Sequence, residues 1–356
     1  MSRILFALSD IYNELTDLNF NVENEEELLD QIVDNRIVGM VYKNILKLKN
    51  NPISTDSLER LKQLYENNVL KAKKFKSNLT YLAKLLENAN FDYALLKGSF
   101  LTSQLYEEGF RTSNDIDILI NNNDIDKCQK LLLENGFIQG SYSKKKGLVP
   151  ATRREIIMSR MNFGETIPLI KLIDNESFAI DINFSLDFKP PAENNTIGCM
   201  LNRVRTVSIN NHSFKTLNIV DFLIHLCCHL YKEATTFDWV AHNRDLSLYK
   251  FSDINLFLHT YNDSGFMNQL AARINEFNVN KECYYTFYNS AIIYPDFYNI
   301  PGFNDLLKNI VPDSLDFMKQ VVWPTENETL YYIMDFEDWF FCKNKARYLK
   351  KCKTGI

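Results

Sequence analysis

The segment Asp115-Ile-Asp-Ile-Leu-Ile120 constrains this chain more than any other. Acids and β-branched residues alternate along it with the period of a strand, whose successive side chains point to opposite faces. Asp115 and Asp117 therefore project together, while Ile116, Ile118 and Ile120 project oppositely into apolar packing. Two neighbouring carboxylates repel unless positive charge sits between them. A divalent cation is the usual answer, and Mg²⁺ favours one or two carboxylates together with waters and substrate phosphates. The pair reads as a metal clamp for a phosphate-bearing ligand; solvated acids on an exposed strand face are the plainer alternative.

A second feature lies just upstream. Phe91 to Lys97 reads as a buried strand that ends in Gly98-Ser99, and Phe100-Leu-Thr-Ser-Gln-Leu-Tyr106 has helical apolar spacing. A strand, a glycine-serine turn and a helix start bring backbone N–H groups and a hydroxyl to one point, a ready site for an anion. Gly98 lets the backbone approach a phosphate with no Cβ in the way. Ser99 caps the helix or donates to a phosphate oxygen. Lys97 and Arg111 read either as surface basic groups or as secondary phosphate contacts.

Gly-Ser followed by an Asp-x-Asp strand resembles the signature of the polymerase-β-like nucleotidyltransferase superfamily. The longer stretch Leu95-Leu-Lys-Gly98, Leu105-Tyr106, Arg111, Asn114-Asp-Ile-Asp-Ile-Leu119, Leu132 and Gly136-Phe137 is similar to one bacterial branch, the uncharacterised nucleotidyltransferase (NTP-transferase 5) family. Val38-Gly-Met-Val-Tyr42, Asp221-Phe-Leu-Ile-His225 and Lys250-Phe-Ser-Asp-Ile254 look like its flanking helices. The superfamily needs a third carboxylate on another strand. Ser177-Phe-Ala-Ile-Asp-Ile-Asn-Phe184 alternates so that Asp181 faces away from Ile180, Ile182 and Phe184. By resemblance, Asp181 completes the metal site or accepts the proton of the attacking group. Asp174 and Asp187, near turns, are weaker rivals. The family often carries a histidine and an aromatic residue soon after this aspartate; here those positions are Asn183 and Phe184.

The resemblance implies transfer of a nucleoside monophosphate from an NTP to an acceptor hydroxyl, with release of pyrophosphate. Asp115, Asp117 and Asp181 are the catalytic and metal-binding candidates, with Mg²⁺ or Mn²⁺ as the cation. Lys97, Gly98, Ser99 and Arg111 are the nucleotide-binding candidates. A small molecule or modified peptide is the expected acceptor, and tRNA is less favoured. Two other readings remain open. An Asp-x-Asp strand end also holds Mn²⁺ and a nucleotide-sugar in glycosyltransferases, and the chain could be a nucleotide-binding module that has lost turnover.

Composition sets wider bounds. The 356 residues suit two or three packed subdomains. Only 11 Gly and 9 Pro argue for long helices and against a β-sandwich. No apolar run reaches the ~18–20 residues that cross a bilayer, and the first residues lack a signal-peptide pattern, so a cytoplasmic protein without a membrane partner is expected. The seven cysteines, Cys128, Cys199, Cys227, Cys228, Cys283, Cys342 and Cys352, are odd in number and irregular in spacing, which argues against a disulfide framework. His225 and His229 share a helix face; a zinc site is conceivable there, and a packed helix is the better reading. A net charge of −5 does not suggest a dedicated nucleic-acid binder. Two basic clusters qualify this. Lys144-Lys-Lys146 with Arg153-Arg154 reads as a polar insertion that could close over a ligand. The stretch Lys343, Lys345, Arg347, Lys350, Lys351 and Lys353 reads as a solvated helix face or tail.

The expected architecture is α+β: a small mixed β-sheet nucleotidyltransferase core flanked by helical regions. Residues 1–88 read as an N-terminal helical region, 89–215 as the α/β core and 216–356 as a C-terminal helical region. Strands are expected at Phe91–Lys97, Asp115–Ile120, Ile167–Ile173 and Phe178–Phe184, with an edge strand at Val204–Ile209. Lys189-Pro-Pro-Ala-Glu-Asn-Asn195 is the clearest loop signal.

Overall fold

A computed structural model describes residues 2–12, 22–162, 164–186 and 195–351, the side chains of Ser2 and Asn162 excepted. Asp187, most of the Lys189–Asn195 loop, Cys352 and Lys353 lie outside these residues. The chain forms two compact units, one of residues 67–222 and one of residues 1–66 with 223–356.

The first unit carries an eight-stranded mixed sheet. Its strands are β1 (Tyr93–Leu95), β2 (Asp115–Ile120), β3 (Ile138–Ser143), β4 (Gly147–Pro150), β5 (Leu169–Ile173), β6 (Glu176–Asn183), β7 (Arg205–Ile209) and β8 (His212–Thr216). Their spatial order is β4-β3-β5-β6-β2-β1-β8-β7. Alternation decides which face is buried. Ile116, Ile118 and Ile120 of β2 and Ile180 and Ile182 of β6 are all but inaccessible, and the acids of both strands occupy the opposite face. β2 and β6 run parallel, whereas β1 pairs antiparallel to β2 and parallel to β8. The helix Ile125–Glu134 buries Ile125, Cys128 and Leu132. Lys171 on β5 fixes its C-terminal end by donating from Nζ to Asn135 O at 2.9 Å. The same Nζ donates to the Tyr81 hydroxyl at 2.8 Å and lies 4.9 Å from the centre of that ring.

The other unit is mainly helical. Asn24 caps the helix Glu25–Asp34, its side chain accepting from Glu27 N, and three glutamates fill the first turn, as the helix dipole favours. The region read as helical beyond 216 also contains a three-stranded sheet of β9 (Gln320–Trp323), β10 (Glu328–Tyr331) and β11 (Lys350–Lys351). Strands of two to four residues are too short for alternation to register against the surrounding helical sequence. The basic C-terminal stretch is likewise no uniform solvated face. Lys345 is 2% exposed and its ammonium contacts both oxygens of buried Asp245, at 2.9 and 2.7 Å. Among the described residues no helix is long and apolar enough to cross a membrane.

Candidate active site

β2 and β6 build the acidic face. In their parallel register Asp117 stands opposite Asp181, and Asp115 stands opposite Ala179. Residues two apart on a strand share a face, so Asp115, Asp117, Asp181 and Asn183 look the same way. Asp115 is exposed at the strand start, whereas Asp117 is buried. A carboxylate so placed needs donors, and the Asp117 Oδ1 accepts from Lys97 Nζ at 2.8 Å and from Asn183 Nδ2 at 3.3 Å. Asp181 is less well served. Its Oδ1 is buried with no hydrogen-bond partner. Burial first, then repulsion from Asp117, Asp115 and Glu165, hold its carboxyl well above the usual carboxylate range, with Lys97 opposing them.

The bend after β1 lies beside this face. The strand is tied to β2 by Leu96 N donating to Asp117 O at 3.0 Å. Lys97 follows with φ 45° and ψ −117°, a conformation that a long side chain adopts only under strain of about 1–3 kcal/mol, and such strain clusters at functional sites. Ser99 N donates to Leu96 O, and Phe100 N and Leu101 N donate to Lys97 O. These backbone donors, expected at sequence level to be open to an anion, are engaged in the turn itself. The Ser99 and Thr102 hydroxyls of this segment are buried and have no partner. A π-helical turn, Leu101–Leu105, continues the segment, a geometry found often at functional sites.

Gly98 is required by close approach. A Cβ there would fall 1.9 Å from Ser113 Oγ and 3.0 Å from Arg111 Nη1. Arg111 is itself buried and donates to Ser113 Oγ. Thus the structure brings Lys97, Gly98, Ser99 and Arg111 together around one bend, and sets Lys97 directly on Asp117. Asp174 sits in the turn between β5 and β6 with positive φ.

Ser113 and Glu165 escaped sequence reasoning, and Asn183 was noted there only as a departure from the family pattern. Asn183, at the position where a histidine was expected, holds Asp117 by its amide. Its place two residues beyond Asp181 on the same strand face is a signal that could have found it. Glu165 reaches the site through an isolated bridge to Asn183, a pairing that no local pattern announces.

Three carboxylates on one face of two adjacent strands, one with an unsatisfied buried oxygen, suit a hard divalent cation. Among the described residues, however, no group of three His, Cys, Asp or Glu side chains is already disposed around a metal position. The Lys97 ammonium takes up Asp117 instead. His225 and His229 belong to the helical unit; their rings lie 6.4 Å apart, and His229 Nε2 is 3.4 Å from Glu233. No metal-binding group forms around them among the described residues.

A family model described as "uncharacterised nucleotidyltransferase" matches residues 21–295. No curated protein matches the chain significantly. Among solved structures, an antigenic nucleotidyltransferase-like protein from Paracoccidioides brasiliensis is similar over 56% of this chain and 87% of its own, at 15% identity and a TM-score of 0.33.

Proposed function

Since this chain belongs to the uncharacterised nucleotidyltransferase family, we propose that it moves a nucleoside monophosphate from an NTP to an acceptor hydroxyl, with Mg²⁺ or Mn²⁺ held by Asp115, Asp117 and Asp181. The observation that carries this reading is the pairing of Asp117 with Asp181 across β2 and β6, beside the Lys97-Gly98-Ser99 bend.

The reaction joins the acceptor oxygen to the α-phosphorus and breaks the bond to pyrophosphate. The cation supplies charge neutralisation on the transferring phosphoryl group and orients the two oxygens. The remaining work falls to side chains. Burial and the neighbouring carboxylates favour the protonated form of Asp181; once a bound cation neutralised that repulsion the carboxyl would ionise, and Asp181 would then serve as third ligand or take up the acceptor's proton. Ser99 Oγ donates to a β- or γ-phosphate oxygen. Arg111 adds a cationic contact to the same phosphates, as guanidinium groups do. Lys97 neutralises Asp117 and, with a cation held by the three aspartates, its ammonium would be free to contact a phosphate. A small molecule or peptide is the favoured acceptor, and the net acidity of the chain keeps tRNA second.

The test uses NTPs labelled at the α-phosphate, Mg²⁺, and metabolite, peptide and tRNA fractions as separate acceptor pools. Label transferred to one pool with equimolar pyrophosphate is the expected result. Release of inorganic phosphate without label on any pool, or no NTP binding, contradicts the proposal. The Lys97→Met variant checks the placeholder role. It should melt lower than the parent in EDTA and gain more stability from Mg²⁺ than the parent does, because Asp117 then lacks the Lys97 ammonium. An equal Mg²⁺ response in both proteins refutes that role.

A further inference from the structure

The long helix Thr55–Leu86 carries a lysine-rich stretch, Lys71-Ala-Lys-Lys-Phe-Lys76, that no part of the nucleotidyl-transfer reading uses. Within the sheet unit this helix forms one side of a groove of about 480 Å³. Lys73, Lys76, Ser77, Thr80 and Lys84 line it, and their spacing of three and four residues puts them on one helix face. At 1.5 Å per residue, Lys73 and Lys84 lie about 16 Å apart along the axis. The other side is the hairpin of β7 and β8. Asn210 in its turn, with φ 50°, donates from Nδ2 to Thr80 Oγ1 at 2.9 Å, and His212 Nδ1 lies 2.7 Å from Glu87 Oε1. These contacts fix the two walls before any guest arrives.

Charge in the groove is one-sided. Three lysines line it, and among the described residues Glu108 is the one acid that does so. Glu108 meets Lys76 Nζ at 3.3 Å. Lys73 and Lys84 are exposed, and among the described residues their side chains make no ion pair or hydrogen bond; the Ser77 hydroxyl has no partner either. No aliphatic side chain lines the groove, so a guest gains from charge and hydrogen bonds rather than from apolar burial. A protein partner anchors through buried aromatic and aliphatic side chains, and these find no pocket here. A flexible chain of evenly spaced phosphates needs none, since each lysine neutralises one phosphate and releases its condensed counterion.

From these observations we infer that the groove binds the phosphate backbone of a single nucleic-acid strand, whatever its base sequence. Lys73, Lys76 and Lys84 each meet one phosphate, and Ser77 donates to a phosphate oxygen between them. The net charge of −5 belongs to the whole chain; the basic groups that decide such a contact are the local ones. The groove needs neither NTP nor metal, so it stands or falls independently of nucleotidyl transfer.

The test is fluorescence anisotropy of the full chain with a labelled oligouridylate dodecamer, without NTP or Mg²⁺, over a series of salt concentrations. Three phosphate contacts predict a slope of log affinity against log salt of about −2. Lys73→Ala/Lys84→Ala, at exposed positions without partners, should weaken binding at least about tenfold at low salt and flatten the slope to about −0.7. Lys144→Ala/Lys146→Ala, which removes the same charge at the turn between β3 and β4, should change affinity less than about twofold. An oligoadenylate dodecamer should bind within about threefold of the oligouridylate. Absent saturable binding at low salt, equal loss from the two double variants, or tighter binding of a dodeca-aspartate peptide overturns the inference.

Discussion

Gly98 and Asp181 are the residues on which the site turns, and each makes a stability prediction separable from activity. Gly98→Ala drives a methyl group into Ser113, and overpacking of this kind costs about 1–3 kcal/mol. Ser113→Gly removes the obstructing atoms, so the double variant should recover most of the loss in denaturant melts; no recovery would mean that the glycine serves something other than packing. Asp181 makes a pH prediction for the metal-free protein. Its carboxyl is raised in the folded state well above the usual carboxylate range by burial and its acidic neighbours, so the native protein keeps a proton that the unfolded chain has released. Stability therefore falls as pH rises above about 4, until the native carboxyl has itself ionised. Asp181→Asn lacks this penalty. Its melting-temperature advantage over the parent in EDTA should widen between pH 4 and pH 7 while transfer is lost; a constant or narrowing gap would contradict the crowding of carboxylates described above.

Among the elements, β2 was the most legible, because Asp115 and Asp117 alternate with Ile116, Ile118 and Ile120 and so fix which face is apolar. β6 was legible for the same reason, although its register against β2 was not: pairing of Asp117 with Asp181 is a tertiary fact. The Lys144–Lys146 insertion proved to be the turn of a hairpin, β3 to β4. Its strands are largely exposed on both faces, so no apolar alternation signals them. The helix expected at Ser99–Tyr106 is instead a single helical turn run into a π-turn, a choice made by packing rather than by local propensity. β1 is only three residues long and depends on its neighbours. Thr216 on β8 is fully buried and donates from Oγ1 to Leu95 O at 2.6 Å. Thr216→Val should cost about 1–3 kcal/mol by stranding that carbonyl, and should weaken NTP binding because β1 leads directly into the Lys97-Gly98-Ser99 bend. A denaturation midpoint unchanged from the parent would show that the strand is held by other means.

At the scale of the whole molecule, the charged core of the helical unit is what sequence could not disclose. Lys345 sits in a run of basic residues that reads as surface, yet burial depresses its ammonium below the usual lysine range while Asp245 opposes the shift. Lys345→Met strands a buried carboxylate and should cost about 3–5 kcal/mol. Adding Asp245→Leu should return much of it, since a buried pair exchanged for apolar groups of similar size is often neutral. Two equally destabilised variants would show the pair to be something other than mutually dependent. The central claim rests on the sheet unit, where two strands and a bend gather acids, a lysine and a hydroxyl that lie up to 84 residues apart in sequence, from Lys97 to Asp181. Its most direct measurement is calorimetric titration of the full chain with a non-hydrolysable NTP, with and without Mg²⁺, for the parent and for Asp115→Asn/Asp117→Asn. Mg²⁺-dependent binding that vanishes in the double variant is the predicted result. Binding of equal strength in both proteins, or indifferent to Mg²⁺, would contradict the account.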